Sequence, residues 1–136
     1  MNRWHAVTSV IALAVLSGCG SLPFMDGYYM TGDELRAQFA GKTVVAKNVK
    51  TGTTSVSYYT DDGQVRQQRN GRSRTGTWYI GPKGRMCLVM EEAEKPSCRA
   101  VVMGRDGVVK KYRRSGKSWT QTIVYEKFVK GNVHKL

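Results

Sequence analysis

The sequence predicts a small, mainly β domain: an antiparallel meander of about eight strands, closed as a barrel or folded as a sandwich, with one short helix ahead of it. Three observations predict this. Runs rich in Val, Tyr, Thr and Ile recur from Lys42 onward, the composition of half-buried strands. Turn signals separate the runs: Thr51-Gly52, Asp61-Asp62-Gly63, Asn70-Gly71, Pro82-Lys83-Gly84, Asp106-Gly107 and Ser115-Gly116, residues that tolerate positive φ or pre-set φ at little cost. Thr31 and Glu34 stand at capping-box spacing, so each can satisfy the other's free backbone N–H at a helix start.

Taken in order, residues 1–18 read as an export signal, 19–30 as a tether, and 31–136 as the folded domain. The helix begins at Thr31, buries Leu35 and Phe39, and ends at Gly41, a residue suited to the left-handed turn that stops helices. Strands are expected at 42–50, 53–60, 64–69, 74–81, 85–91, 98–104, 107–113 and 118–129. Closure is favoured over an open sheet, which would leave two long edges and an uncovered apolar face. Alternation nominates Val44 and Ala46, Val56 and Tyr58, Trp78 and Ile80, Cys87 and Val89, Ala100 and Val102, and Ile123 and Tyr125 as interior. Val45, Tyr59, Tyr79, Leu88, Val101 and Val124 form a competing set, so parity stays open. Trp78 and Trp119 serve either the core or the floor of a ligand cavity. The tether aromatics Phe24, Tyr28 and Tyr29 rest on a membrane interface or fold back onto the domain.

The first residues have a basic start at Arg3, an apolar run from Ala6 to Leu16, and small residues after it. That run is too short for a transmembrane helix, which needs roughly 20 apolar residues. Leu16-Ser17-Gly18-Cys19 resembles the cleavage site of bacterial lipoprotein precursors. The resemblance implies a thioether-linked diacylglycerol on Cys19 with an amide-linked acyl chain; the alternative is an ordinary secretory signal cut elsewhere. Gly20 rather than Asp after the cysteine is similar to outer-membrane sorting signals and implies a lipid-anchored, periplasm-facing location there.

Removing Arg3 with the signal leaves 21 of the 22 Lys and Arg against the same 10 Asp and Glu, a balance of +11 where the whole chain carries +12. Such a field favours anionic partners. In a cell envelope these are anionic lipid, peptidoglycan, lipopolysaccharide or an envelope protein; nucleic acid is a poor candidate for an exported chain. Arg66, Arg69, Arg72 and Arg74 flank the Asn70-Gly71 turn, and Lys110, Lys111, Arg113, Arg114 and Lys117 run into the Ser115-Gly116 turn. Antiparallel topology can bring both tips to one end as a positive rim, able to hold phosphates or carboxylates by charge-assisted hydrogen bonds. The competing reading is that these charges only protect strands and turns.

With Cys19 assigned to lipid, Cys87 and Cys98 are the remaining pair, expected to form a disulfide in an oxidising compartment. Pro96 and the run Glu91-Glu92-Ala93-Glu94-Lys95 mark a bend between them, a solvated acidic hairpin tip. The spacing is not C-x-x-C and no histidine lies near, which argues against redox or metal use. Of the two histidines, His5 is in the signal and His134 near the end, a poor supply for triad chemistry. The sequence therefore points to a protein that is not an enzyme and uses no cofactor or metal.

The Thr31-to-Leu35 helix start, Phe39 to Thr43, Tyr58-Tyr59 before Asp62-Gly63, Gly76-Thr77-Trp78, Cys87, Cys98 and Gly131-Asn132 together resemble an uncharacterised proteobacterial family, the domain of unknown function numbered nine-nine-five. That resemblance covers about residues 31–135 and carries no catalytic residues over. The Gly-x-Trp strand with its two-cysteine hairpin is also similar to small barrel inhibitors of bacterial metalloproteases. The leading functional expectation is a non-enzymatic outer-membrane lipoprotein that binds an anionic envelope component or a protein. An inhibitor of a periplasmic or secreted enzyme and, for a calycin-like barrel, a lipocalin-like carrier of a small apolar ligand are the alternatives.

Overall fold

Backbone chemistry at the turns sets the element boundaries seen in the computed structural model, which describes residues 26–136. Asn70 and Gly71 both take positive φ, 52° and 72°, as a two-residue hairpin turn between right-twisted strands demands. The Asn48 side chain accepts from the backbone N–H groups of Lys50 and Thr51, each at 3.0 Å, and so shapes the next hairpin. The signal at 1–18, the lipidation site Cys19 and the tether up to residue 25 lie outside the described residues.

The order is β1 (Gly27–Tyr29), α1 (Gly32–Phe39), β2 (Lys42–Asn48), β3 (Thr54–Tyr59), β4 (Gln64–Arg69), β5 (Arg72–Ile80), a single 3₁₀ turn (Pro82–Gly84), β6 (Met86–Met90), β7 (Ser97–Gly104), β8 (Val109–Ser115) and β9 (Ser118–Lys130). Strands β2 to β9 pair each with the next, and β9 returns to β2, so eight antiparallel strands close a barrel. The barrel alternative is the one realised, and the sandwich is not. Thr31 caps α1 as the spacing predicts: its hydroxyl accepts from Glu34 N–H and its own N–H donates to the Glu34 carboxylate, at 3.3 and 2.7 Å.

The folded domain starts before Thr31. Strand β1 pairs antiparallel with the second half of β7, Gly27 opposite Gly104 and Tyr29 opposite Val102, so Tyr28 and Tyr29 fold back onto the barrel. They do so because β6 accompanies only the first half of β7, from Leu88–Ser97 to Met86–Arg99, leaving the rest of that edge unpaired. Cys87 and Cys98 are direct cross-strand partners joined by a disulfide, a staple across this shortest seam.

Alternation along the strands resolves the parity. On β2 and β5 the interior residues are Val44, Ala46, Trp78 and Ile80, as nominated; on β9 they are Ile123 and Tyr125. On the other strands the competing set wins: Tyr59 with Ser55 and Ser57 instead of Val56 and Tyr58, Leu88 instead of Cys87 and Val89, and Val101 instead of Ala100 and Val102. Val102 is buried all the same, on the outer wall with Tyr112 and Trp119. Two register shifts in β9 leave Thr122 without a partner on β8 and Glu126 without one on β2, and such bulges re-aim side chains. After the second, Phe128 packs against the core.

Helix α1 plugs one end. Leu35 and Phe39 are fully buried, and the Phe39 ring meets Tyr59, Tyr125 and Phe128 edge-on with centroids at 5.2, 5.0 and 5.2 Å, a favoured aromatic geometry. Trp78 continues this layer against Tyr59 and donates its indole N–H to the Thr60 carbonyl at 3.0 Å, a core role. Trp119 lies outside the barrel.

Candidate anion-binding site in the barrel mouth

A meander that starts at the plugged end places the β2–β3, β4–β5, β6–β7 and β8–β9 turns together at the other end. Both basic hairpin tips therefore share one rim, with the acidic β6–β7 tip between them. Within that rim the barrel is hollow. A cavity of ≈ 380 Å³ opens between the strands, inside the range of small-molecule sites.

Of the nine basic residues that the sequence nominates, Arg69, Arg74, Lys111 and Arg113 line this cavity. The other five do not. Arg66 faces out and donates to the Leu136 carbonyl at 3.0 Å. Arg72 is at the outer β4–β5 tip beside Arg69 and Asn70. Lys110 alternates outward from Lys111, Arg114 stacks over the outer face of Trp119 with 5.7 Å from its guanidinium carbon to the ring centroid, and Lys117 is exposed in the last turn.

Two cations were missed by the sequence reading, Arg99 on β7 and Lys95 at the β6–β7 tip; both line the cavity. Arg99 had a signal. It interrupts the apolar run of β7 at the same parity as Val101, so once Val101 points inward Arg99 must too. Ser55, Ser57 and Gln67 complete the polar lining, and none of these carries a spacing signal of its own.

The electrostatics are one-sided. Among the described residues the ion pairs are Arg36–Asp33, Arg105–Asp26 and Arg74–Glu92, and of these only Arg74–Glu92 touches the cavity. Glu92 is exposed, and its own backbone hydrogen bond, then Arg74 and Arg69, hold its carboxyl below the usual range. Arg74 also donates to Gln67, and Gln67 to Ser57, at 3.1 and 3.0 Å, a chain that fixes the β3–β5 wall. On the β7–β8 wall Arg99 donates to the adjacent Cys98 carbonyl at 3.1 Å, and among the described residues no carboxylate pairs with Arg99, Lys111 or Arg113. Lys111 is 7% exposed, and burial first, then the Arg99 guanidinium, push its ammonium down to about 8. Burial first, then Arg113 and Arg85, lowers Arg99 as well. The Lys111 Nζ sits 5.6 Å from the centroid of the Tyr125 ring, whose electron-rich face offsets part of the cost.

Burial, and then the neighbouring Tyr59, raise Tyr125 well above an ordinary phenol, so its hydroxyl stays a protonated donor. It is buried and has no hydrogen-bond partner among the described residues. Among the described residues the cavity lining contains no carboxylate, imidazole or thiol. Such a surface can neutralise and orient an anion through charge-assisted hydrogen bonds.

No protein-family model matches the chain, and neither does any curated protein or solved structure.

Proposed function

We propose that the protein is a non-enzymatic lipoprotein of the bacterial outer membrane, held by lipid on Cys19, whose barrel takes the charged group of an anionic envelope component into its mouth. The observation that carries the reading is the inward convergence of Arg69, Arg99, Lys111 and Arg113 with no carboxylate paired to them among the described residues. A surface charged only for solubility has no reason to bury Lys111 and half-bury Arg99 inside a barrel, where desolvation penalises both. The lipid-anchor part draws support from the Leu16-to-Cys19 motif alone.

Anchor and mouth have a definite relation under this reading. Asp26 meets Arg105 of the β7–β8 turn, carboxylate to guanidinium at 3.2 Å, and that turn belongs to the plugged end. A tether from Cys19 to Gly27 reaches at most about 28 Å. A lipid on Cys19 therefore attaches the barrel by its plugged end and leaves the mouth free to meet solutes and the polymer layer.

The test is sedimentation of the whole lipidated chain with purified peptidoglycan or lipopolysaccharide over a salt series. Arg99→Glu and Arg113→Glu should abolish retention, whereas Lys117→Glu on the outer turn should leave it nearly unchanged. Retention lost only on reversal of outer charges would overturn the reading in favour of an external rim. Intact mass of the exported chain should show a start at Cys19 with acyl adducts, and an unmodified start elsewhere would remove the anchor.

A further inference from the structure

The cavity is not uniformly polar. Leu88 and Met90 of β6 and Ile123 of β9 expose hydrocarbon into it beside the cations. The order along β8 sets the depth of each charge: Val109 packs in the core, Lys111 comes next, and Arg113 stands nearest the mouth. Arg99 follows one step above Val101, which pairs with Lys111, so Arg99 is level with Arg113.

We propose that the cavity binds a small amphiphilic anion, a carboxylate or phosphate monoester on a short hydrocarbon body, with the headgroup deep on Lys111 beside Tyr125, Arg99 one step nearer the mouth reaching it from above, and the body along Leu88, Met90 and Ile123. This deepens the functional reading above and rests on it. Three observations converge on the headgroup position. Lys111 is a nearly buried charge with Arg99 as a like-charged neighbour and no acid as partner, a combination that an anion relieves at once. Tyr125 lines the same space, and its hydroxyl is a buried donor with no partner among the described residues, a group that a native structure rarely leaves without use. Arg74 is already compensated by Glu92 and Gln67, so among the described cavity cations the most buried unpaired charge is Lys111 on the β7–β8 wall.

The reverse pose, tail down, would set hydrocarbon on the Lys111 ammonium and leave the hydroxyl unmet. The cavity volume of ≈ 380 Å³ holds a small molecule and not a fold of polymer. A bound anion should also restore the proton affinity that Lys111 loses to desolvation, because the charged form gains a partner.

The experiment is calorimetric titration of the full chain in lipid nanodiscs, with empty nanodiscs as blank, against hexanoate, hexyl phosphate, inorganic phosphate and hexyltrimethylammonium. Hexanoate and hexyl phosphate should bind one per chain, each at least tenfold tighter than either control, and the ratio of the two identifies the preferred headgroup. Lys111→Met should weaken both at least tenfold. Arg113→Gln, at the exposed mouth where folding is not at risk, should weaken them severalfold, with Lys117→Gln unchanged. Equal binding of hexyltrimethylammonium, or full affinity in both cavity variants, overturns the proposal. If the hexyl anions fail while lipopolysaccharide or peptidoglycan is still held by the cavity arginines, the ligand class is wrong and the cavity reading survives; if nothing anionic binds, both fall.

Discussion

The two ends of the barrel share the same eight strands and the same in-out alternation, yet one is a packed core and the other a charged hollow. At the plugged end α1 drives Phe39 into a cluster with Tyr59, Tyr125 and Phe128. At the open end, two to four residues away on the same strands, the inward positions hold Ser55, Ser57, Gln67, Arg69, Lys111 and Arg113. Small and charged side chains there cannot fill the interior as aromatics do. The division shows where this fold spends its stability and where it gives some up to keep a binding space.

Four experiments break or sharpen that contrast. Phe39→Ala empties the plug and should cost about 3–5 kcal/mol, read as a lower denaturation midpoint; a loss under 1 kcal/mol would mean that α1 is peripheral. Removing the Cys87–Cys98 bridge by paired Ala substitution should cost about 2–3 kcal/mol, since the β6–β7 seam has few other ties, and the parent under reducing conditions should match the variant.

Lys111→Met at the open end should act in the opposite sense and raise stability below pH 8. The folded chain holds the Lys111 proton less tightly, with a pKa of about 8, than the unfolded chain, where it is about 10.4. Below pH 8 both states are protonated and the desolvation penalty is fully present. Between 8 and about 10.4 the unfolded state binds more protons, so stability rises with pH there by about 2–3 kcal/mol. Chemical denaturation across pH 7–10.5 should show this rise in the parent and a flatter curve in the variant. The smallest effect is expected at the helix cap, where Thr31→Ala should cost about 1 kcal/mol with the hexanoate titration unchanged, because the cap supports the plug and not the mouth.

Much of the architecture was legible from local chemistry. Asn70-Gly71 demanded a tight hairpin, Thr31 and Glu34 a helix start, and each strand fell within a few residues of its expected span. Strand β1 was not legible: three residues form it only because β6 leaves half of the β7 edge free. Parity was ambiguous on β3, β6 and β7 because the outer wall is itself covered in places. Val102 and Ala100 are buried outside the barrel, so hydrophobicity marked both faces.

From its residues alone, then, the chain determined antiparallel strands, their meander order and the capped helix, all consequences of turn geometry and side-chain period that act over a few positions. Which cations face inward was decided only by the tertiary structure. Closure of β9 onto β2 gives the sheet an inside, and the bulges at Thr122 and Glu126 adjust what β9 turns toward it. Adjacent Lys110 and Lys111 look alike in sequence, but one rotation of the pleat puts the first on the outer wall and the second beside Tyr125, where burial changes its chemistry.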